Sequence, residues 1–243
     1  MASTIPYCGP APSPDGLSSR WNLDPILLAA LAAGAGAWWL WRRRGGQARD
    51  GLAIGAFAIL FVAFISPLCA LTSALFSARV VHHGLLVSIA APLLAFAPAR
   101  AWRAPPLAIA TALQAALFWL WHAPGPYAWA LANDGAYAVM QVTLLGSALG
   151  FWLAVRRAAA IAAAGALLIT MMQMGLLGAL ITFAAFPLYD PHLTTTLAWG
   201  LSPLEDQQLA GVIMWAPMAG AYMLVALALL GRALEPARDA TAS

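Results

Sequence analysis

Apolar positions fall in seven long runs, at about 25–41, 51–70, 80–98, 105–121, 136–155, 158–186 and 208–231. Most approach the roughly 20 residues that a helix needs to cross a bilayer. The pattern predicts an all-α, polytopic membrane bundle of about seven transmembrane helices. The second and third runs are separated only by Leu71–Arg79, which predicts a half-turn or a short interfacial helix. The sixth run is long, so its helix is expected to tilt or to extend past the bilayer. Lipid-facing and buried sides are both apolar here, so periodicity does not reveal which face is inward. No internal repeat is evident. Residues 1–23 are rich in Pro, Ser and Gly and lack an apolar period, and they read as an extramembrane tail. They do not read as a secretory signal, because no basic region precedes the first apolar run. Residues 24–232 form the membrane domain and 233–243 a second tail.

Charge supplies the orientation. Only 9% of the 243 residues are charged, against about 25% in a water-soluble domain. All 12 basic residues are arginine, and ten of them cluster at run ends. Arg42, Arg43, Arg44 and Arg49 follow the first run, Arg100 and Arg103 the third, Arg156 and Arg157 the fifth, and Arg232 and Arg238 the seventh. Seven crossings put all four clusters on one side, which the positive-inside rule makes cytoplasmic. The N-terminus is then outside and the C-terminus inside. Arg20 and Arg79 are the exceptions. Such short clusters act as topology determinants, and nothing in them points to a nucleic-acid partner.

The opposite face collects the polar chemistry. His82 and His83 open the third run, His122 closes the fourth, and His192 lies in the loop after the sixth. Asn133, Asp134 and Asp190 lie near the same face. Glu205 and Asp206 stand directly before the uncharged stretch Gln207–Gly231. Imidazole, carboxylate and thioether groups are transition-metal ligands, with Met favouring Cu(I). On the seventh helix Gln207, Gly211, Met214 and Met218 are spaced to share one stripe, with Pro217 beside it. On the sixth, Met171, Gly175, Gly178 and Thr182 make a stripe whose small residues permit close helix approach. Tyr137 and Gln141 are one turn apart on the fifth.

Each feature also has a plainer reading. Methionine stripes fill gaps in helical cores. His122, between tryptophans and Pro124, can be an interfacial residue, and His82 or His83 can bond a carbonyl inside the bundle. His192, in a loop, reads as solvated. Asp206 is either the N-cap of its own helix or part of a site. Glu205 reads as solvated. Arg79 either pairs with one of the acids or snorkels to the surface. Cys8 and Cys69 form no CxxC motif, which leaves redox and zinc motifs unsupported. Both lie on the outer side, where a bridge between them is open.

Several stretches together resemble the CtaG type of cytochrome c oxidase assembly factor, a seven-helix membrane family associated with caa-type oxidases. They are SPL at Ser66–Leu68, LFSARVVHHGLL at Leu75–Leu86, APLL at Ala91–Leu94 and WHAPGPY at Trp121–Tyr127. GLLGALITFAAFPLY at Gly175–Tyr189 and SPLEDQQLAGVIMW at Ser202–Trp215 follow. His83, His122 and Asp206 match the family pattern. Arg79 stands where the family's third helix has the first of two histidines, and Tyr137 and Gln141 stand where its fifth helix has a pair.

The resemblance implies a non-enzymatic factor in the plasma membrane of a bacterium that helps mature a haem-copper oxidase, with oxidase subunits and the bilayer as partners. The expected chemistry is transient Cu(I) binding through His83, His122 and Met214, with Asp206 orienting a ligand and His82 and Met218 in reserve. Two other classes remain open. A haem-binding electron carrier would need two facing axial ligands. A transporter would show inverted repeats and broken midplane helices, and a structural subunit would form a stable stoichiometric complex.

Overall fold

The computed structural model describes residues 5–100 and 102–234. Its regular elements are helical, in eleven α-helical segments. In chain order they are α1 (Pro25–Arg43), α2 (Asp50–Phe64), α3 (Pro67–Ala74), α4 (Phe76–Gly84), α5 (Ala91–Phe96) and α6 (Leu107–His122). They continue as α7 (Pro124–Ala132), α8 (Asp134–Arg157), α9 (Ala160–Thr182), α10 (Pro203–Ile213) and α11 (Ala219–Leu234). One π-turn, Leu85–Ala90, joins α4 to α5, and a second, Met214–Met218, joins α10 to α11.

Among the described residues four continuous helices are long and apolar enough to cross a membrane: Phe76–Phe96, Asp134–Arg157, Ala160–Thr182 and Pro203–Ala233. Counting α2 with α3, and α6 with α7, as single bent spans raises the number to six. The first apolar run does form a helix, α1, of 19 residues. Its three tryptophans and terminal arginines dilute its apolar character.

Prolines explain where the expected runs break. The second run bends by 46° after Phe64. Pro67 has no N–H and forces Ser66 to be extended, with φ −68° and ψ 168°. Ser66 then caps α3, accepting from the Leu68 N–H at 3.2 Å. The chain bends by 72° between α6 and α7 for the same reason, at Ala123–Pro124. Prolines also account for the π-turns. The Ala91 N–H bonds to Leu86 O, one residue further back than in an α-helix. The next donor would come from Pro92, which has none, so the Val87 carbonyl is orphaned. It accepts instead from Trp152 Nε1 at 3.0 Å and the Tyr222 hydroxyl at 3.3 Å. In the second π-turn Pro217 removes the donor that Ile213 O would have used.

Tertiary packing follows from small residues. The glycines of the predicted stripes on α9 and α10 meet face to face. A Cβ on Gly211 would lie 2.5 Å from Gly178 O and 2.8 Å from the Thr182 backbone nitrogen. α8 packs on α5 and α6, and α4 packs on α3 and α10.

The bundle has an arginine end and a histidine end. At the arginine end the Arg49 N–H bonds to Ala97 O at 2.7 Å, and Arg156 donates to the carbonyls of Ala95, Pro98 and Ala99 at 2.8 Å each. At the histidine end the segment before α1 lies on the bundle. A disulfide joins Cys8 to Cys69. Tyr7 stacks on Tyr137 at 5.0 Å between ring centroids, and Trp199 Nε1 donates to Pro12 O at 3.1 Å.

Candidate functional site

α4 carries Arg79, His82 and His83 into the bundle, and all three are buried. What holds the start of α4 comes from another helix. Its N-cap position, Leu75, has no side chain able to cap. Asp206 supplies the cap from α10, accepting from the Phe76 N–H at 2.6 Å, the Ser77 N–H at 3.2 Å and the Ser77 hydroxyl. A carboxylate there also meets the positive end of the α4 dipole. Asp206 thus does not cap its own helix, one of the two readings the sequence left open. Ser202 does that, in a capping box with Glu205. Glu205 is exposed, as expected.

Asp206 therefore touches none of the histidines, and it fixes the helix that presents two of them. Gln207, next along, pins the chain that follows α9. Its carbonyl accepts from the Leu188 N–H at 2.6 Å, and its amide donates to Ile181 O at 3.2 Å.

His83 meets His122 from the end of α6. His83 Nδ1 lies 3.4 Å from His122 Nε2, with the rings at 86°. His122 Nδ1 lies 2.7 Å from Phe118 O, a group that only accepts. That contact puts the His122 proton on Nδ1 and leaves a lone pair on Nε2, facing His83. The His122 main chain is held as well, since the Tyr189 hydroxyl donates to its carbonyl at 2.7 Å. His122 is buried, not interfacial.

The remaining predicted residues are placed less directly. His82 is buried edge-on to Phe64, and neither of its ring nitrogens has a hydrogen-bond partner. Met214 is fully buried at the start of the second π-turn. Met218 lies against the backbone beside His83. A Cβ on Gly84 would sit 2.7 Å from the Met218 sulfur. Among the described residues no three His, Cys, Asp or Glu side chains gather as a metal-holding group.

Arg79 neither pairs with an acid nor reaches the surface. It donates to the Tyr137 hydroxyl at 3.2 Å and to Thr72 O at 3.4 Å. Tyr137 thus occupies its place one turn above Gln141 as a partner for a buried cation. His192 departs from expectation too. It is buried, with Nε2 2.7 Å from the Tyr127 hydroxyl. Burial, with the Arg79 charge second, pushes its imidazole down to about 4, so it is neutral near pH 7. Phe76, Tyr127 and Tyr189 complete this aromatic cluster, with Tyr189 stacked on Phe76 at 3.6 Å.

Beneath these groups lie buried amides that the sequence did not single out as a set. Gln114 and Gln141 are buried, and neither side-chain amide has a partner. His83 Nε2 is also unpartnered. Buried polar atoms of this kind belong with a bound water or ligand.

A model of the cytochrome c oxidase caa3 assembly factor family (Caa3_CtaG) matches residues 35–235. The chain belongs to that family. The match covers most of the chain, including every candidate residue discussed above. No curated protein and no solved structure matches it. Membership carries an assembly role and association with a membrane, in keeping with the apolar helices. The family is one of assembly factors, which suggests a non-catalytic role, and that role implies contact with oxidase subunits in general.

Proposed function

We propose that this member of the family aids copper insertion into a haem-copper oxidase from the outer face of a bacterial plasma membrane. The contact between His83 and His122 carries the reading. Metal–imidazole bonds of about 2.0–2.1 Å at a tetrahedral angle separate two nitrogens by about 3.3–3.4 Å. His83 Nδ1 and His122 Nε2 stand 3.4 Å apart, so they fit two corners of such a centre. The same separation serves a long hydrogen bond when nothing is bound. Soft thioether donors from Met218 and Met214 would favour Cu(I). With few ligands and no closed cage, the ion is cargo that can be passed on. Asp206 acts as a positioning residue, because it fixes the turn of α4 from which His83 projects.

The wider reading has seven crossings, with α1 as the first and the two bent pairs as one span each. The arginine end then faces the cytoplasm by the positive-inside rule. A haem carrier is less well supported. Axial ligands must face each other across a macrocycle, whereas these two imidazoles touch directly.

Cu(I) titration of the purified protein against a His83→Ala, His122→Ala double variant tests the site. Loss of at least tenfold in affinity is expected for the variant, equal to about 1.4 kcal/mol or more. Equal affinity in the two proteins removes the site. Normal oxidase copper content in cells lacking the protein removes the insertion role.

A further inference from the structure

A groove opens at the arginine end of the bundle. It encloses about 560 Å³ between α2, α5, α8, α9 and α11, inside the range of about 300–1,000 Å³ typical of ligand sites. Its walls are apolar, with Leu52, Leu93, Phe96, Val155, Val225 and Leu229 among them. Two arginines, Arg49 and Arg156, also line it.

Both arginines are anchored to the turn that ends α5. Arg49 is held through its backbone N–H to Ala97 O, which leaves its side chain exposed. Arg156 is held through its guanidinium, which donates to Ala95, Pro98 and Ala99. No carboxylate lines the groove. Among the described residues the one ion pair joins Arg42 to Asp50 and leaves both groove arginines without an acid. Two positive charges, neither paired with an acid, thus stand beside an apolar trough whose walls are membrane-crossing helices. A free anion would use only the charges, and a neutral lipid only the trough.

We propose that this groove is a binding site for one anionic phospholipid. An acyl chain lies along α5 and α11, and the phosphate sits between Arg49 and Arg156. Arg49 supplies the freely placed charge, since Arg156 is already committed to carbonyls. Basic pockets between membrane helices commonly take such head groups. The inference does not depend on copper binding.

Native mass spectrometry of the full chain in detergent tests it, with phosphatidylglycerol and phosphatidylcholine of identical acyl chains as probes. Preferential retention of phosphatidylglycerol is expected. Arg49→Gln should weaken that preference about fivefold, and Leu229→Trp, which fills the trough without altering charge, should lower retention of the lipid while both variants keep wild-type melting temperatures. Equal retention of the two lipids by the wild type overturns the proposal. So does an Arg49→Gln variant with undiminished preference. Displacement of phosphatidylglycerol by millimolar inorganic phosphate alone would show an anion site without a lipid site, and overturns it too.

Discussion

His192 shows how a residue's surroundings decide its chemistry. Its Nε2 lies 2.7 Å from the Tyr127 hydroxyl, and the ring is buried. Burial and the Arg79 charge act in the same direction, lowering its pKa from 6.5 to about 4. The unfolded chain binds the proton more readily than the folded one. His192 therefore contributes stability that is present in full above about pH 6.5 and is lost as pH falls towards 4. The slope across that window is about 1.4 kcal/mol per pH unit for one such group. Thermal unfolding in detergent between pH 7.5 and 4.5 should show the wild type losing stability steeply. His192→Gln should lose less by roughly one proton's worth. Identical pH profiles would mean that His192 is not held neutral by the fold. Arg79 gives the complementary case. It stays inside because Tyr137 and Thr72 accept its hydrogens. Sequence offered acids as its partners, and only the three-dimensional arrangement substitutes a phenol and a carbonyl.

At the scale of elements, the bundle depends on the close approach of α9 and α10. The small-residue stripes predicted this approach, because glycine spacing is a local signal that survives into packing. Other features were hidden for physical reasons. Ser66–Pro67 sits within an apolar run, so hydropathy joined what the missing proline N–H separates, whereas α7, beyond Ala123–Pro124, fell outside every apolar run. Asp206 looked like a cap for the helix beside it. Its true partners, Phe76 and Ser77, are 130 and 129 residues away, a distance over which no spacing argument reaches. The family resemblance put His83 and His122 in one ligand set, but the 3.4 Å approach of their ring nitrogens cannot be read from spacing. The Gly178–Gly211 approach gives a direct test. A methyl group at Gly211 would meet backbone atoms of Gly178 and Thr182 at 2.5 and 2.8 Å, and backbone cannot yield as a flexible side chain does. Gly211→Ala should destabilise by at least the 1–3 kcal/mol typical of overpacking. The same change at Gly220, which has open space around it, should cost less than 1 kcal/mol of helix stability or add to it. Equal melting temperatures for the two variants would mean that α9 and α10 do not meet at this point.

For the whole molecule, the histidine and arginine ends form one argument about sidedness. α2 begins beside Arg49 at one end and reaches Ser66 near the disulfide at the other. Its 15 residues span about 22 Å. Arginines gather at the first end, which the positive-inside rule would place in the cytoplasm. Cys8 and Cys69 lie at the second, and a disulfide persists only on an oxidising side. Orientation can therefore be read from the redox state of two sulfurs. Cells should be quenched in acid, denatured and treated with a 5-kDa maleimide polymer before and after reduction. With the N-terminus outside, the protein should take no polymer before reduction and two afterwards. A protein inserted the other way would hold both thiols reduced and take two polymers from the start. The bridge closes a loop over 61 residues, worth about 4 kcal/mol in chain entropy. Loss of either cysteine should accordingly lower the melting temperature and release the segment that Tyr7 and Pro12 hold against the bundle. If Cys69→Ser melts with the wild type, the covalent tie is not what holds that segment in place.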